Sequence, residues 1–144
     1  MARVPWQALL RAASRARARA HAPYSGFAVG AAVLVRGRIH AACNVENSSY
    51  PLSVCAERNA VAMAVAAGAK SIDAVVVLGG HKRPAPPCGG CRQVLAEFGA
   101  AGTPVLYASP KGQRVQTTLG ELLPAAFGRS DLAKTRKSKV RAGK

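Results

Sequence analysis

Acidic residues are scarce in this 144-residue chain, which has six Asp and Glu against 21 Lys and Arg and a formal net charge of +15. Aromatic residues are also few, at 5% of the chain, whereas 49% of the residues are hydrophobic, with Ala and Val in excess. So high an apolar content excludes a chain that is disordered throughout. The length predicts one domain with tightly packed helices and buried strands.

Long hydrophobic runs are absent as well. No apolar run approaches the roughly 20 residues that cross a bilayer, and the run within residues 1–10 is too short for a secretory signal. The four cysteines would suffice for two disulfides, but Cys88 and Cys91 form a C-x-x-C pair. We therefore predict a cytoplasmic protein without membrane contact, in which reduced cysteines bind a metal.

The positive charge is concentrated at the two ends of the chain. Residues 1–20 contain five arginines and no acid, and residues 129–144 contain seven cations and one acid, whereas residues 21–128 hold nine cations and five acids. We interpret the first cluster as a solvated helix face and the second as a disordered basic tail that follows a domain of residues 1–128. Such charge attracts nucleic acid without selectivity, and no specific nucleic-acid partner is expected.

Hydrophobic periodicity and turn residues predict an alternation of helices and strands. The helix that separates the second strand from the third implies a right-handed crossover with parallel pairing. The fold class is therefore α/β, a three-layer α/β/α domain with a mixed central sheet of about five strands. The predicted helices are 5–19, 55–67, 89–98 and 119–123, and the predicted strands are 27–35, 39–45, 72–78, 104–108 and a short edge strand 115–117.

Two segments carry the candidate chemistry, Cys55-Ala56-Glu57-Arg58 and Pro87-Cys88-Gly89-Gly90-Cys91-Arg92-Gln93. Each lies at the start of a predicted helix, so that two helix N-termini point to one place. Catalytic zinc sites use three protein ligands and keep the fourth position for water. We predict that Cys55, Cys88 and Cys91 bind one zinc ion.

Glu57 follows the first of these cysteines by two residues, close enough to reach a metal-bound water without being a ligand. There it can accept and deliver protons as a general acid and base. The alternative is that Glu57 only complements the helix dipole, which is worth roughly 0.3–1 kcal/mol. Three thiolates give the zinc site a net negative charge, and we expect Arg58 and Arg92 to offset it by donating hydrogen bonds to the sulfurs.

Other possible ligands have weaker support. Cys43 lies on a predicted strand, where a small buried hydrophobic residue is the ordinary interpretation. His21, His40 and His81 have no ligand spacing, and each is interpreted as a surface or loop histidine. A fourth protein ligand would instead indicate a structural zinc in a basic nucleic-acid-binding module with no use for Glu57.

Together these motifs resemble those of a known family. A first ligand, any residue and Glu, followed by P-C-x-x-C, is the pattern of zinc nucleobase deaminases. The chain also contains Ala22-Pro23-Tyr24-Ser25, Cys43-Asn44-Val45-Glu46-Asn47, Glu121-Leu122-Leu123-Pro124 and Phe127. With these segments, residues 5 to 128 resemble the small homotetrameric zinc-dependent cytidine deaminases of pyrimidine salvage.

The resemblance implies a cytidine deaminase-like fold and hydrolysis of cytidine and 2′-deoxycytidine to uridine and 2′-deoxyuridine with release of ammonia. One zinc ion per subunit would present hydroxide to C4 of the base, while Glu57 shuttles protons. A different aminopyrimidine nucleoside is the alternative substrate, and the segment Asn44-Val45-Glu46-Asn47 argues against it.

The resemblance also implies roles for further residues. Asn44 and Glu46 would hold the ribose 3′-hydroxyl, with Asn47 beside them. Phe27 would stack near the base, and the backbone of Ala56 would read the pyrimidine edge. Residues of a neighbouring subunit would complete each pocket in a homotetramer, and the residues in those places are Ser48, Tyr50 and Phe127. The chain departs from many members at Ala42, where they have Gly, and at Asn59, where they have Thr.

Overall fold

The computed structural model describes residues 3–132, which contain four helices and five strands. Two short 3-10 turns, Tyr50–Leu52 and Arg129–Leu132, lie between or after them. In chain order the elements are α1 (Trp6–Arg17), β1 (Gly30–Val35), β2 (Arg38–Cys43), α2 (Ala56–Ala66), β3 (Ala74–Leu78), α3 (Gly89–Phe98), β4 (Pro104–Ala108), β5 (Arg114–Thr118) and α4 (Leu119–Leu122).

The strands form one mixed sheet in the order β2-β1-β3-β4-β5, in which only β3 and β4 pair in parallel. The predicted mixed sheet of five strands is confirmed, but the predicted parallel pairing of the second and third strands is wrong. Strand β1 lies between them and pairs antiparallel with both. Every residue of β1 is buried, so both of its edges need strand partners. Strand β3 nevertheless runs in the same direction as β2, because each of them is antiparallel to β1, which lies between them.

Side chains alternate between the two faces of the sheet and divide the core into two clusters. Val33, Val75 and Val77 pack on one face against α2 and α3. Ala32 and Val76 pack on the other face with the buried side of α1. Helices therefore cover both faces, and the predicted three-layer α/β/α architecture is confirmed.

Strand β1 begins at Gly30, three residues later than predicted. A Cβ atom at Gly30 would lie 1.9 Å from the carbonyl oxygen of Ala13, so only glycine permits this close approach of α1. Before Gly30, the side chain of Asn44 bonds the backbone of Phe27 and Val29, and these residues are not part of the strand. The apolar run predicted as one strand therefore divides into a loop and a strand.

The chain beyond α4 departs from the disordered tail expected from residue 129. Residues Arg129–Leu132 form a 3-10 turn, and Arg129 makes an ion pair of 2.9 Å with Glu97 on α3. These four residues therefore have a local turn and an acidic partner on α3. Residues 133–144 of the predicted tail lie outside the described residues.

Candidate active site

The first residues of two helices bring three sulfur atoms together. Cys55 precedes α2 and Cys88 precedes α3 as N-cap residues, and neither side chain makes a capping hydrogen bond. Their sulfur atoms instead lie 3.9 Å from each other. Cys91, in the first turn of α3, is fully buried, and all three sulfurs lie within 4.8 Å of one another. The helix N-termini add partial positive charge beside this cluster.

This donor set fits a zinc ion. A tetrahedral site with Zn–S bonds near 2.3 Å places sulfur atoms about 3.8 Å apart, close to the observed separation of Cys55 and Cys88. Among residues 3–132, the group of side chains able to hold a metal contains these three cysteines alone. Three ligands leave one coordination position for water, as in catalytic sites, and give no support to a closed structural site.

The three thiols share their protons unequally. Hydrogen bonding from Cys91, helped by Cys88 and by the positive charge of Arg58, outweighs the effect of burial and lowers the pKa of Cys55 to about 6. The pKa of Cys91 is raised, chiefly by its hydrogen bond to Cys55 and then by its burial. Cys55 therefore carries a negative charge for a cation more readily than Cys91 does.

Glu57 lies in the first turn of α2, and its side chain is only 5% exposed. Burial raises the pKa of this carboxyl group, and the neighbouring Cys55 thiolate raises it further. A carboxyl group held in this way exchanges protons more readily near neutral pH than an exposed glutamate does. This environment favours the acid/base interpretation of Glu57 over one limited to the helix dipole.

A cavity of about 360 Å³ opens beside the sulfur cluster and Glu57. Of the side chains proposed from the sequence, seven line it: Phe27, Asn44, Glu46, Cys55, Ala56, Glu57 and Cys88. Sequence reasoning gave no role to the other seven: Ser25, Val29, Ser53, Val54, Val77, Ala85 and Pro86. Ser25 belongs to the segment Ala22-Pro23-Tyr24-Ser25, which was the only signal for any of them. The others are small or apolar and carry no motif.

Asn44 fixes the wall of this cavity. Its side-chain nitrogen donates to the carbonyl of Phe27 over 2.8 Å, and its side-chain oxygen accepts from the backbone N–H of Val29, also over 2.8 Å. The aromatic ring of Phe27 consequently faces the cavity, with the ring of His81 edge-on at 5.8 Å between centroids. The amide of Asn44 keeps a second N–H available for a ligand.

Glu46 organises the rim of the cavity. Its carboxylate accepts hydrogen bonds from the backbone N–H groups of Tyr24 and Ser25 and from the Ser25 hydroxyl. The Ser25 hydroxyl is the main cause of a lowered pKa at Glu46, so this carboxylate stays ionised at neutral pH. An ionised acceptor at the rim suits a ligand hydroxyl group.

Four residues expected near the substrate lie outside this cavity in the single chain: Asn47, Ser48, Tyr50 and Phe127. The side chain of Asn47 accepts a hydrogen bond from the backbone of Ser49. Tyr50 is 69% exposed and contacts Tyr24 at 5.7 Å between ring centroids. The exposed Phe127 is held through its backbone carbonyl, which accepts from Gln93.

Arg92 does not donate to the sulfurs, and the prediction that it does is wrong. Its guanidinium donates to the carbonyls of Pro87 and Leu122 over 2.8 and 2.9 Å, and so ties the Cys88 loop to α4. These partly buried carbonyls need donors, and the guanidinium of Arg92 supplies them. Arg58 is exposed, and in the described part of the chain neither guanidinium is hydrogen bonded to a cysteine. Only the charge of Arg58 acts on the cluster.

The remaining cysteine and the histidines do not belong to the sulfur cluster. Cys43 is partly buried, and its sulfur lies 3.5 Å from the carbonyl of Arg19. Asn59, one of the departures from many family members, donates to the backbone carbonyl of Cys43 and so joins α2 to β2. Neither residue contacts the cavity.

A sheet enclosed by helices, with three thiols and a buried carboxyl group at two helix N-termini, defines the class as an α/β protein with a site able to bind a metal. Residues 5–107 match the sequence profile of the cytidine and deoxycytidylate deaminase zinc-binding region. The chain belongs to the cytidine and deoxycytidylate deaminase family.

The chain aligns with individual relatives over nearly their whole length. The chain is 44% identical to the cytidine deaminase of Sporosarcina psychrophila, covering 87% of this chain and 93% of the relative. It is 45% identical to that of Mycobacterium tuberculosis, covering 93% and 98%. The crystal structure of cytidine deaminase from Burkholderia pseudomallei superposes with a TM-score of 0.81 at 45% identity, covering 84% and 98%. Within residues 3–132, no helix has the length and apolarity needed to cross a membrane.

Proposed function

We propose that this protein hydrolyses cytidine and 2′-deoxycytidine to uridine and 2′-deoxyuridine and releases ammonia, as a cytoplasmic enzyme of pyrimidine salvage. Relatives that share 44–45% of its residues over most of the chain are cytidine deaminases. The observation that carries the proposal is the position of Glu57, buried beside three clustered thiols at a cavity open to a ligand.

Cys55, Cys88 and Cys91 would hold one zinc ion in each subunit. When bound, zinc lowers the pKa of a coordinated water molecule and so supplies a nucleophile at neutral pH. Glu57 would accept a proton from the attacking water and deliver it to N3 of the pyrimidine ring. It would then take the proton of the hydroxyl added at C4 and pass it to the departing amine, so that ammonia leaves as a neutral molecule while the C4 carbonyl forms. The raised pKa of Glu57 suits both transfers.

The polar rim suits the ribose. Its 3′-hydroxyl would donate to the Glu46 carboxylate and accept from the free N–H of Asn44. Phe27 would pack against the base, and the backbone at Ala56 would read its polar edge. The cavity of about 360 Å³ lies within the roughly 300–1,000 Å³ of small-molecule sites. A substrate without the hydroxyl would leave the Glu46 carboxylate with an unfilled acceptor position.

The proposed assembly is a homotetramer with shared active sites. Large apolar side chains are exposed near the cavity rim, including Tyr50 at 69% and Leu52 at 65%, and Phe127 is exposed at 58%. Exposed apolar side chains of this size favour contact with another protein surface. Ser48, Tyr50 and Phe127 would enter the pocket of a neighbouring subunit, which accounts for their distance from the cavity of their own chain.

The test is the ultraviolet absorbance change of cytidine on conversion to uridine, measured together with zinc content for wild type and Glu57→Gln. We expect an active wild type and a variant that keeps zinc and loses about 10²–10⁴ of its turnover, because Gln cannot carry the proton. A zinc-loaded wild type that leaves both nucleosides unchanged would refute the proposal.

A further inference from the structure

The arginines of α1 form a basic groove on the face of the sheet opposite the sulfur cluster. Two adjoining cavities, of about 510 and 640 Å³, run along the helix and share Ala8 and Arg11 in their linings. We call them together the α1 groove. The five arginines that line it come from the N-terminal segment and from β5: Arg3, Arg11, Arg15, Arg19 and Arg114.

The spacing of these arginines makes a continuous stripe. Arg11 and Arg15 lie one above the other on one side of α1, and Arg19, in the turn just after the helix, continues the four-residue spacing and lines the same cavity. All five side chains that line the groove are exposed. The helix of 12 residues is about 18 Å long, so the positive charge extends over several nucleotide spacings.

Within residues 3–132, these charges have no acidic partners. No Asp or Glu lines either cavity, and the first turn of α1 contains no acid. The ion pair recorded between residues 3 and 132 joins Arg129 to Glu97, far along the chain from the helix. Arg17, which does not line the groove, differs from these arginines because its guanidinium donates a hydrogen bond to the carbonyl of Ala28. The groove therefore presents unneutralised positive charge to solvent.

The floor of the groove is partly apolar. Trp6 and Leu106 line one cavity and Ile39 and Ala41 line the other. Gln7 and Gln116 add side-chain amide groups that can donate and accept hydrogen bonds. A concave surface with cations along its wall and an aromatic residue at its base is the arrangement that binds single-stranded nucleic acid without reading its sequence.

We infer that the α1 groove binds the sugar-phosphate backbone of single-stranded nucleic acid, independently of sequence. The large apolar side chains that are exposed lie elsewhere, so the groove offers nothing to insert into a lipid surface. No residue of α1 lines the catalytic cavity, which is built by the α1 to β1 and β2 to α2 connections, the start of α2, β3 and the loop before α3, so a strand bound along α1 leaves nucleoside access open. The inference is independent of the proposed function.

The experiment measures the affinity of the full chain for a fluorescently labelled oligothymidylate of about 15 nucleotides, which contains no cytosine and is not a substrate. Anisotropy is recorded from about 50 to 200 mM salt. Trp6, the single tryptophan of the chain, provides a second signal because it lines the groove. We expect binding that weakens with salt and changes the Trp6 emission.

Two triple variants with the same net charge distinguish binding by the groove from an effect of the overall charge of the chain. Arg11→Gln/Arg15→Gln/Arg19→Gln removes the stripe. Arg38→Gln/Lys70→Gln/Lys111→Gln removes three exposed cations that do not line the groove. The groove variant should bind about tenfold or more weakly at low salt. Its slope of log affinity against log salt should be smaller by about 2, since each phosphate neutralised on a single strand contributes about 0.7. The control variant should retain most of the wild-type affinity and slope, and cytidine turnover should match wild type in both.

Equal losses in the two variants would overturn the inference, because net charge alone would then explain binding. Wild-type affinity in the groove variant would also overturn it and place the contact elsewhere in the chain. Tighter binding of a duplex of the same length, or groove-dependent binding of phosphatidylserine vesicles without binding of the oligonucleotide, would assign the groove to another partner.

Discussion

The sulfur of Cys55 lies 3.9 Å from the sulfur of Cys88, although 33 residues separate the two in the chain. Each cysteine is an N-cap residue whose side chain makes no capping bond, so both are free to turn to the same point. Helices α2 and α3 pack on one face of the sheet and hold these N-caps together.

Replacing one of the paired cysteines should remove the metal. We expect Cys88→Ser to lose zinc, measured by plasma mass spectrometry, and to lower kcat for cytidine by about 10³-fold, because the metal contributes several kcal/mol to catalysis. Cys43→Ser is the matched control, since Cys43 lies outside the cluster. Equal zinc contents in the two variants would contradict the assigned ligands.

Replacing each of the two arginines beside the cysteines should have a different effect. Arg92→Ala leaves the carbonyls of Pro87 and Leu122 without their donor, so we expect a loss of about 1.5–3 kcal/mol in the free energy of unfolding by urea. Arg58→Ala should keep both stability and zinc but lower kcat, because only its charge acts on Cys55. An Arg58→Ala variant with wild-type kcat would refute the charge-tuning role.

The ribose assignment predicts discrimination against a nucleoside without the 3′-hydroxyl. For the wild type, kcat/KM should be about 10 to 100-fold lower for 3′-deoxycytidine than for cytidine, as expected for a hydrogen bond to a charged group. Glu46→Gln should reduce the ratio of kcat/KM for cytidine to kcat/KM for 3′-deoxycytidine. Asn47→Ala is a comparison variant, because the side chain of Asn47 is bonded to the Ser49 backbone. An unchanged ratio in Glu46→Gln would place the hydroxyl elsewhere.

Assembly can be tested at the exposed aromatic residues. We expect the wild type to be a tetramer by light scattering, and Tyr50→Ser/Phe127→Ser to dissociate in part and to raise KM for cytidine. Leu132→Ser replaces another exposed apolar residue, 71% accessible, and should change neither property. A fully active monomeric wild type would exclude shared sites.

Stability should depend on pH through the cap of α4. The Thr117 hydroxyl, the Thr118 backbone and the Thr118 side chain lower the pKa of Glu121 from its usual 4.5. Because the folded-state pKa is the lower one, the contribution of Glu121 is complete above pH 4.5 and is lost as the pH falls through the folded value. Glu121→Gln should therefore unfold at lower urea than wild type at pH 7, with a difference that shrinks in acid. A difference that is constant from pH 7 to pH 3 would contradict this linkage.

Much of the fold follows from local sequence signals. The periodicity of α1, the buried runs of β1 and β3, and the Thr118 cap of α4 each act within a few residues, and each element is present near its predicted position. The order of the strands in the sheet did not follow from these signals. The crossover rule predicts the direction of the strand after a helix, but not which strand lies beside it. The start of β1 also depended on Asn44, which lies 14 residues beyond Gly30 in the chain.

By itself, the sequence determined which groups meet at the candidate site, three cysteines and a glutamate two residues after the first of them, and the family to which these motifs belong. Covalent spacing suffices for this, since it fixes which side chains share a helix start. Tertiary structure decided what each side chain contacts. Arg92 binds carbonyls rather than sulfur, Glu57 is buried, and the α1 arginines line a groove, because packing between distant elements sets burial and the nearest partner.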